Sequence, residues 1–175
     1  VKIACFDNCP NLVSVALPQT VRSVHFTGCN QLETVFLPSS LREFHFTDCA
    51  MLSSIIVPDS MRYLGKFSQN CENLKSVVLP SNLETLGART FNNCSALTEI
   101  EIPNTIKDIG DLCFVGCTSL KSVTIPPDAP LSKIDTNVFL HCVSLKTFTV
   151  PSNVTEIGRS AFENCITLKD IEFSK

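Results

Sequence analysis

The feature that most constrains this chain is a unit that recurs every 20 to 25 residues along its whole length. Each copy carries a Phe followed by a Cys: Phe6 and Cys9, Phe26 and Cys29, Phe46 and Cys49, Phe67 and Cys71, Phe91 and Cys94, Phe114 and Cys117, Phe139 and Cys142, Phe162 and Cys165. Successive Phe residues are separated by 20, 20, 21, 24, 23, 25 and 23 positions. A unit this short cannot bury its own apolar side. Copies must therefore stack, each covering the next, and the fold expected is a solenoid of about eight coils.

Three residues past each Cys comes the pattern L-x-x-[VIF]-x-[LVIF], closed by Pro in seven of the eight copies, as in Leu32-Val35-Leu37-Pro38 and Leu97-Ile100-Ile102-Pro103. Its last two apolar positions are two apart, the period of a strand with one buried face. Pro ends the strand because it has no N–H to give a neighbour. Stacking then lays one strand per coil into a parallel sheet with strands about 4.8 Å apart. Residues 1–66 form coils of 20–21 residues whose other half repeats the strand pattern, as in Val21-x-x-Val24-x-Phe26, and this predicts a second parallel sheet there. Residues 67–175 form coils of 23–25 residues reading Leu86-Gly87, Ile109-Gly110 and Ile157-Gly158, each followed by a few residues before the Phe. That length predicts a short helical or 3₁₀ turn, with Gly supplying a backbone angle other residues resist.

The phrase from Leu97 through Ile102-Pro103 and Ile106 to Ile109-Gly110, continuing to Phe114 and Cys117, resembles the BspA-like class of leucine-rich repeat. Ala161-Phe162 and Cys165 match that unit best, and the resemblance spans the chain. Residues 1–66 depart from it by lacking the I-G-x-x-A-F segment. The resemblance implies a right-handed leucine-rich repeat solenoid forming a single domain over 1–175. It also implies a secreted or cell-surface protein engaged in adhesion or host-protein binding. Val1 and Lys175 both lie inside repeats and neither end supplies a polar cap, so further repeats in a longer chain, or end-to-end self-association, are expected.

The chemistry of the side chains narrows function further. A net charge of −3 from 14 basic and 17 acidic residues, spread evenly, offers no polycationic tract and disfavours nucleic acid as a partner. No apolar run approaches the roughly 20 residues of a membrane span, so membrane insertion is not expected. Nucleophile-elbow, P-loop, dinucleotide and zincin motifs are all missing, and an enzyme with a catalytic residue set or cofactor is not expected. Ten cysteines would ordinarily suggest a disulfide framework. Eight of them, Cys9, Cys29, Cys49, Cys71, Cys94, Cys117, Cys142 and Cys165, instead occupy the inward turn position of the repeat. Parallel stacking points their Cβ vectors the same way, so a ladder of buried free thiols is expected. Cys5 and Cys113 lie outside the ladder, with a small buried residue or a bridge to Cys9 and Cys117 as the alternatives. His25 and His45 share a register in adjacent coils, but two imidazoles without a third ligand do not make a metal site. His141 beside Cys142 does not make a nucleophile pair, because the ladder turns Cys142 inward. Asn153 is a better glycosylation acceptor than Asn93, which precedes an inward Cys.

In a solenoid the outward positions carry the information. On the first strand these read Ala16, Phe36, Ile56, Val78, Glu101, Thr124, Thr149 and Glu172. The first four are apolar, with either an interaction site or strand propensity and flanking cover as the reason. A second column, Lys2, Arg22, Arg42 and Arg62, recurs every 20 residues. Either nearby acids neutralise it, since residues 1–66 hold five basic and five acidic side chains, or it takes an anionic ligand. The expected function is a non-enzymatic module binding a protein or a glycan, with a structural stalk or an intracellular scaffold as alternatives.

Overall fold

The computed structural model describes all 175 residues, and the chain winds through eight coils with two strand-bearing faces. The front face holds the segments that precede each proline: Ser14–Ala16, Thr34–Phe36, Ser54–Ile56, Ser76–Val78, Glu99–Glu101, Ser122–Thr124, Thr147–Val150 and the final Asp170–Phe173. They bond in successive parallel pairs, with Val15 opposite Val35, Ile55 opposite Val77, Ile100 opposite Val123 and Phe148 opposite Ile171. The middle residue of each of the first six strands points inward and its neighbours point out, and in the seventh Phe148 and Val150 are the buried pair.

The back face holds a four-stranded parallel sheet of Ile3–Asp7, Ser23–Thr27, Glu43–Thr47 and Ser68–Gln69. Contrary to the expectation from sequence, strands do not stop with the short coils. Tyr63–Leu64, Thr85–Leu86 and Asp108–Ile109 form a three-stranded ladder, and Lys133–Ile134 pairs with Glu156–Ile157. The stacking of one coil on the next supplies these hydrogen bonds, so two residues per coil suffice.

The expected helical or 3₁₀ turns in residues 67–175 are hydrogen-bonded turns instead. Backbone angles explain this. Arg89, Leu112, Asn137 and Ser160 are left-handed, with φ of 60°, 59°, 57° and 54°. Asn93, Gly116, His141 and Asn164, four residues later in each coil, are left-handed as well. Only three residues stand between such positions, fewer than one α-helical turn, and the i→i+3 bonds there are isolated: Asn92 donates to Arg89 and Cys94 to Phe91, while the Asn93 amide between them donates to Val115 of the next coil. The glycines also play a different part from the one expected. Gly87, Gly110 and Gly158 do not have positive φ. They sit where adjacent coils press closest: a Cβ on Gly110 would lie 2.7 Å from the Ala88 amide nitrogen, and one on Gly158 2.7 Å from that of Thr136.

Between the faces lies one apolar cluster of 43 buried residues. Its spine is the repeat Phe, stacked ring on ring with centroids 5.0 Å apart for Phe6 and Phe26, 5.1 Å for Phe26 and Phe46, and 5.2 Å for Phe91 and Phe114. The stack breaks at Phe67, whose ring stands at 88° to Phe91, in the coil that carries one extra residue between Phe and Cys. Beside the Phe spine runs the cysteine column, buried from Cys29 to Cys165. Each of these thiols donates to a carbonyl of the preceding coil: Cys29 to Phe6 at 3.0 Å, Cys117 to Phe91, Cys142 to Phe114 and Cys165 to Phe139 at 3.1 Å. Cys94 donates to Ser68 at 2.9 Å. Cys9, in the first coil, is half-buried and reaches only Asp7 of its own turn.

Candidate ligand-binding face

Front-face geometry follows from the two-residue period of its strands. With Val15, Val35, Ile55, Val77 and Ile100 turned inward, Ala16, Phe36, Ile56, Val78 and Glu101 must point out. Register then aligns them: Ala16 faces Phe36, Ile56 faces Val78, and Glu101 faces Thr124. Phe36 is 85% exposed, Ile56 72% and Val78 57%, so no flanking chain covers the apolar stripe. Glu101, Thr124, Thr149 and Glu172 continue the same column as polar, exposed side chains.

A second outward column, unmarked in the reading of the sequence, runs two residues upstream: Ser14, Thr34, Ser54, Ser76 and Glu99. The same strand period that located the stripe would have found it. Between the two columns the surface dips in shallow depressions. One of about 270 Å³ lies between the first and second coils and one of about 330 Å³ between the second and third. A third, of about 410 Å³, lies between the fourth and fifth coils, walled by Val78, Glu99 and Glu101.

The basic column lies at the entry to the back face, stacked by the backbone: the Lys2 carbonyl accepts from the Arg22 and Ser23 amides, and the Arg22 carbonyl from Arg42 and Glu43. All four side chains are exposed. Arg22 donates to the Ser40 carbonyl at 3.0 Å. Arg62 pairs with Glu84 at 2.9 Å, and Glu84 also accepts from Lys107 at 2.6 Å. Those two cations, Lys107 foremost, hold the Glu84 carboxyl below its usual range. Lys2 and Arg42 have no ion-pair partner.

Further round the back face, Cys5, His25 and His45 share one outward register. The two imidazoles stack with centroids 4.0 Å apart, and His25 Nε2 lies 3.0 Å from Ser23 Oγ. Burial first, then the neighbouring His25, lowers the His45 pKa. No three His, Cys, Asp or Glu side chains converge on a point that would hold an ion. Cys113 is buried as a free thiol while Cys5 is exposed. His141 is exposed and Cys142 buried. Both Asn93 and Asn153 are exposed, with amides that donate to Asn70 Oδ1 and the Ala129 carbonyl at 3.0 Å.

Six copies of the BspA type leucine rich repeat region match this sequence, over residues 1–95 and 65–175. The chain belongs to the BspA-type leucine-rich repeat family. Solved structures agree with the fold. A leucine-rich repeat protein from Bacteroides ovatus is 26% identical over 97% of this chain and 51% of its own, with a TM-score of 0.73. A leucine rich cell surface protein from Faecalibacterium prausnitzii is 24% identical over 96% of this chain and 56% of its own, at 0.67, and shows the fold alone. The leucine rich repeat protein of T. pallidum is 27% identical over 97% of this chain and 72% of its own, at 0.62. The BspA-type chain thus spans about half the length of the first two. No curated protein matches it. The family and fold are those of repeat proteins, which serve as binding or structural modules, and no helix is long and apolar enough to cross a membrane.

Proposed function

We propose that this BspA-type solenoid is a non-enzymatic adhesion module of a cell-surface protein, and that its partner, a protein or a glycan, lies across the front face of the first four coils. The observation that carries this reading is the uncovered stripe of Phe36, Ile56 and Val78. Burying such side chains against a partner stabilises by about 1.5–3 kcal/mol each, whereas an exposed charge pair of the kind available at the basic edge contributes about 0–1 kcal/mol. The stripe therefore outweighs Lys2, Arg22, Arg42 and Arg62 as a source of affinity. Membership of the BspA-type family is what supports the surface location.

Phe36→Asp combined with Ile56→Asp tests the reading. Both side chains are exposed, so thermal unfolding should stay within about 2 °C of the parent. Adhesion to host cells or extracellular matrix should fall at least tenfold. Unchanged adhesion would favour a stalk or scaffold role, and unfolding would mean the stripe is core. Light scattering across a concentration series tests the remaining option: a rising mass would assign the exposed Val1, Ile3 and Phe173 to end-to-end self-association.

A further inference from the structure

We propose that the front face receives an amphipathic α-helix of a partner protein, laid along the solenoid axis, with apolar side chains at positions i and i+3 and Lys or Arg at i+10. This rests on the front face being the binding surface, extends that surface from the first four coils to the fifth, and names its occupant. Three observations carry it.

The first is spacing. The depressions between coils one and two, two and three, and four and five lie in line across the strands. At about 4.8 Å per coil, the second and third stand roughly 5 Å and 14 Å from the first. On a helix, positions i+3 and i+10 lie about 4.5 Å and 15 Å beyond i and project within about 80° of it. An extended strand presents same-side residues only every 6.8 Å or so and misses the second depression by about 2 Å.

The second is the change of chemistry along the row. Ala16, Phe36 and Ile56 line the first two depressions, which suit apolar side chains. Glu99 and Glu101 stand over the third beside Val78, a surface for an aliphatic stem ending in a cation. The third is that neither carboxylate pairs with a cation of this chain. Their charge is free for a partner.

The probe is a stapled eighteen-residue helical peptide with Leu at i and i+3 and Arg at i+10 on one face, fluorescently labelled and titrated by anisotropy. Two further peptides complete the set, one with Pro replacing a mid-helix residue and one with Glu at i+10. The helical Arg peptide should bind at least tenfold tighter than either. Glu101→Lys should abolish that advantage and confer it on the Glu peptide, while Phe36→Asp should weaken both. Circular dichroism should show both variants folded. Equal binding of helical and Pro-broken peptides, or indifference to Glu101→Lys, overturns the helix. If the helical peptides fail but an extended peptide or an arrayed glycan binds in a Phe36-dependent way, the face stands and the helix falls. Binding insensitive to Phe36→Asp removes both.

Discussion

Asn8, Gly28, Asp48, Asn70, Asn93, Gly116, His141 and Asn164 are chemically mixed, yet each precedes a ladder cysteine and each has φ between 54° and 74°. Glycine takes this left-handed backbone freely, and Asn and Asp tolerate it better than other residues. The turn thus selects its residue by conformation, and then aims the following thiol inward. Burial pushes the Cys94 thiol up to about 12 and Cys165 to about 11, which starves both of the reactive thiolate. With iodoacetamide at pH 8, Cys5 should be alkylated promptly, Cys9 more slowly, and Cys29 to Cys165 only when coils open. Peptide mass mapping reads this directly, and Cys117 reacting as fast as Cys5 would contradict the ladder. His45 makes a second residue-scale prediction. Its lowered pKa means the unfolded chain, at about 6.5, binds the proton first. Stability is therefore full above pH 6.5 and is lost as pH falls below it toward the lowered folded value. Urea midpoints measured from pH 7.5 to 5 should fall in the parent and fall less in His45→Gln.

At the scale of the element, coil length and coil contact are separate matters. Coil lengths of 20–21 and 23–25 residues are visible in the Phe spacing, and the front strands end where proline says they must. How the back of the longer coils is built was not legible. Leu86-Gly87 and Ile109-Gly110 read as the entry to a helical or 3₁₀ turn, whereas stacking makes Thr85–Leu86 and Asp108–Ile109 two-residue strands. Nor does a glycine in sequence say whether it serves an angle or a close contact. Substituting Gly110→Ala should separate the two explanations. A Cβ there meets the backbone of Gly87 and Ala88, which cannot yield without moving a coil, and the cost should be about 1–3 kcal/mol in urea unfolding. Gly65→Ala is the contrast. The atoms nearest its Cβ belong to the exposed Tyr63 ring, which can swing aside, so the loss should be about 0.5 kcal/mol or less.

For the whole molecule, each coil is covered only by its neighbours, and burial is accordingly graded. Phe26, Phe46, Phe67, Phe91, Phe114 and Phe139 are fully buried, while Phe6 in the first coil and Phe162 in the last are half-buried. In a solenoid, stability is a sum of coil terms and nearest-neighbour terms. Amide hydrogen exchange should therefore be slowest from about residue 44 to 140 and quicken toward both ends. Phe114→Ala should cost about 3–5 kcal/mol and speed exchange most in the coils beside it. Exchange that is uniform along the chain would mean the coils unfold as one block.

The repeat by itself determined the coil count, the inward phase of Leu, Val, Phe and Cys, and hence which residues face out, because apolar side chains at matching phase can be buried only by stacking. Tertiary structure alone decided that Phe36, Ile56 and Val78 stay uncovered, that Glu84 rather than a nearer acid answers Arg62, and that the glycines mark contact between coils. Phase is a one-dimensional property that a sequence displays. Cover, ion pairing and backbone approach depend on distances across coils, which exist only once the chain is wound.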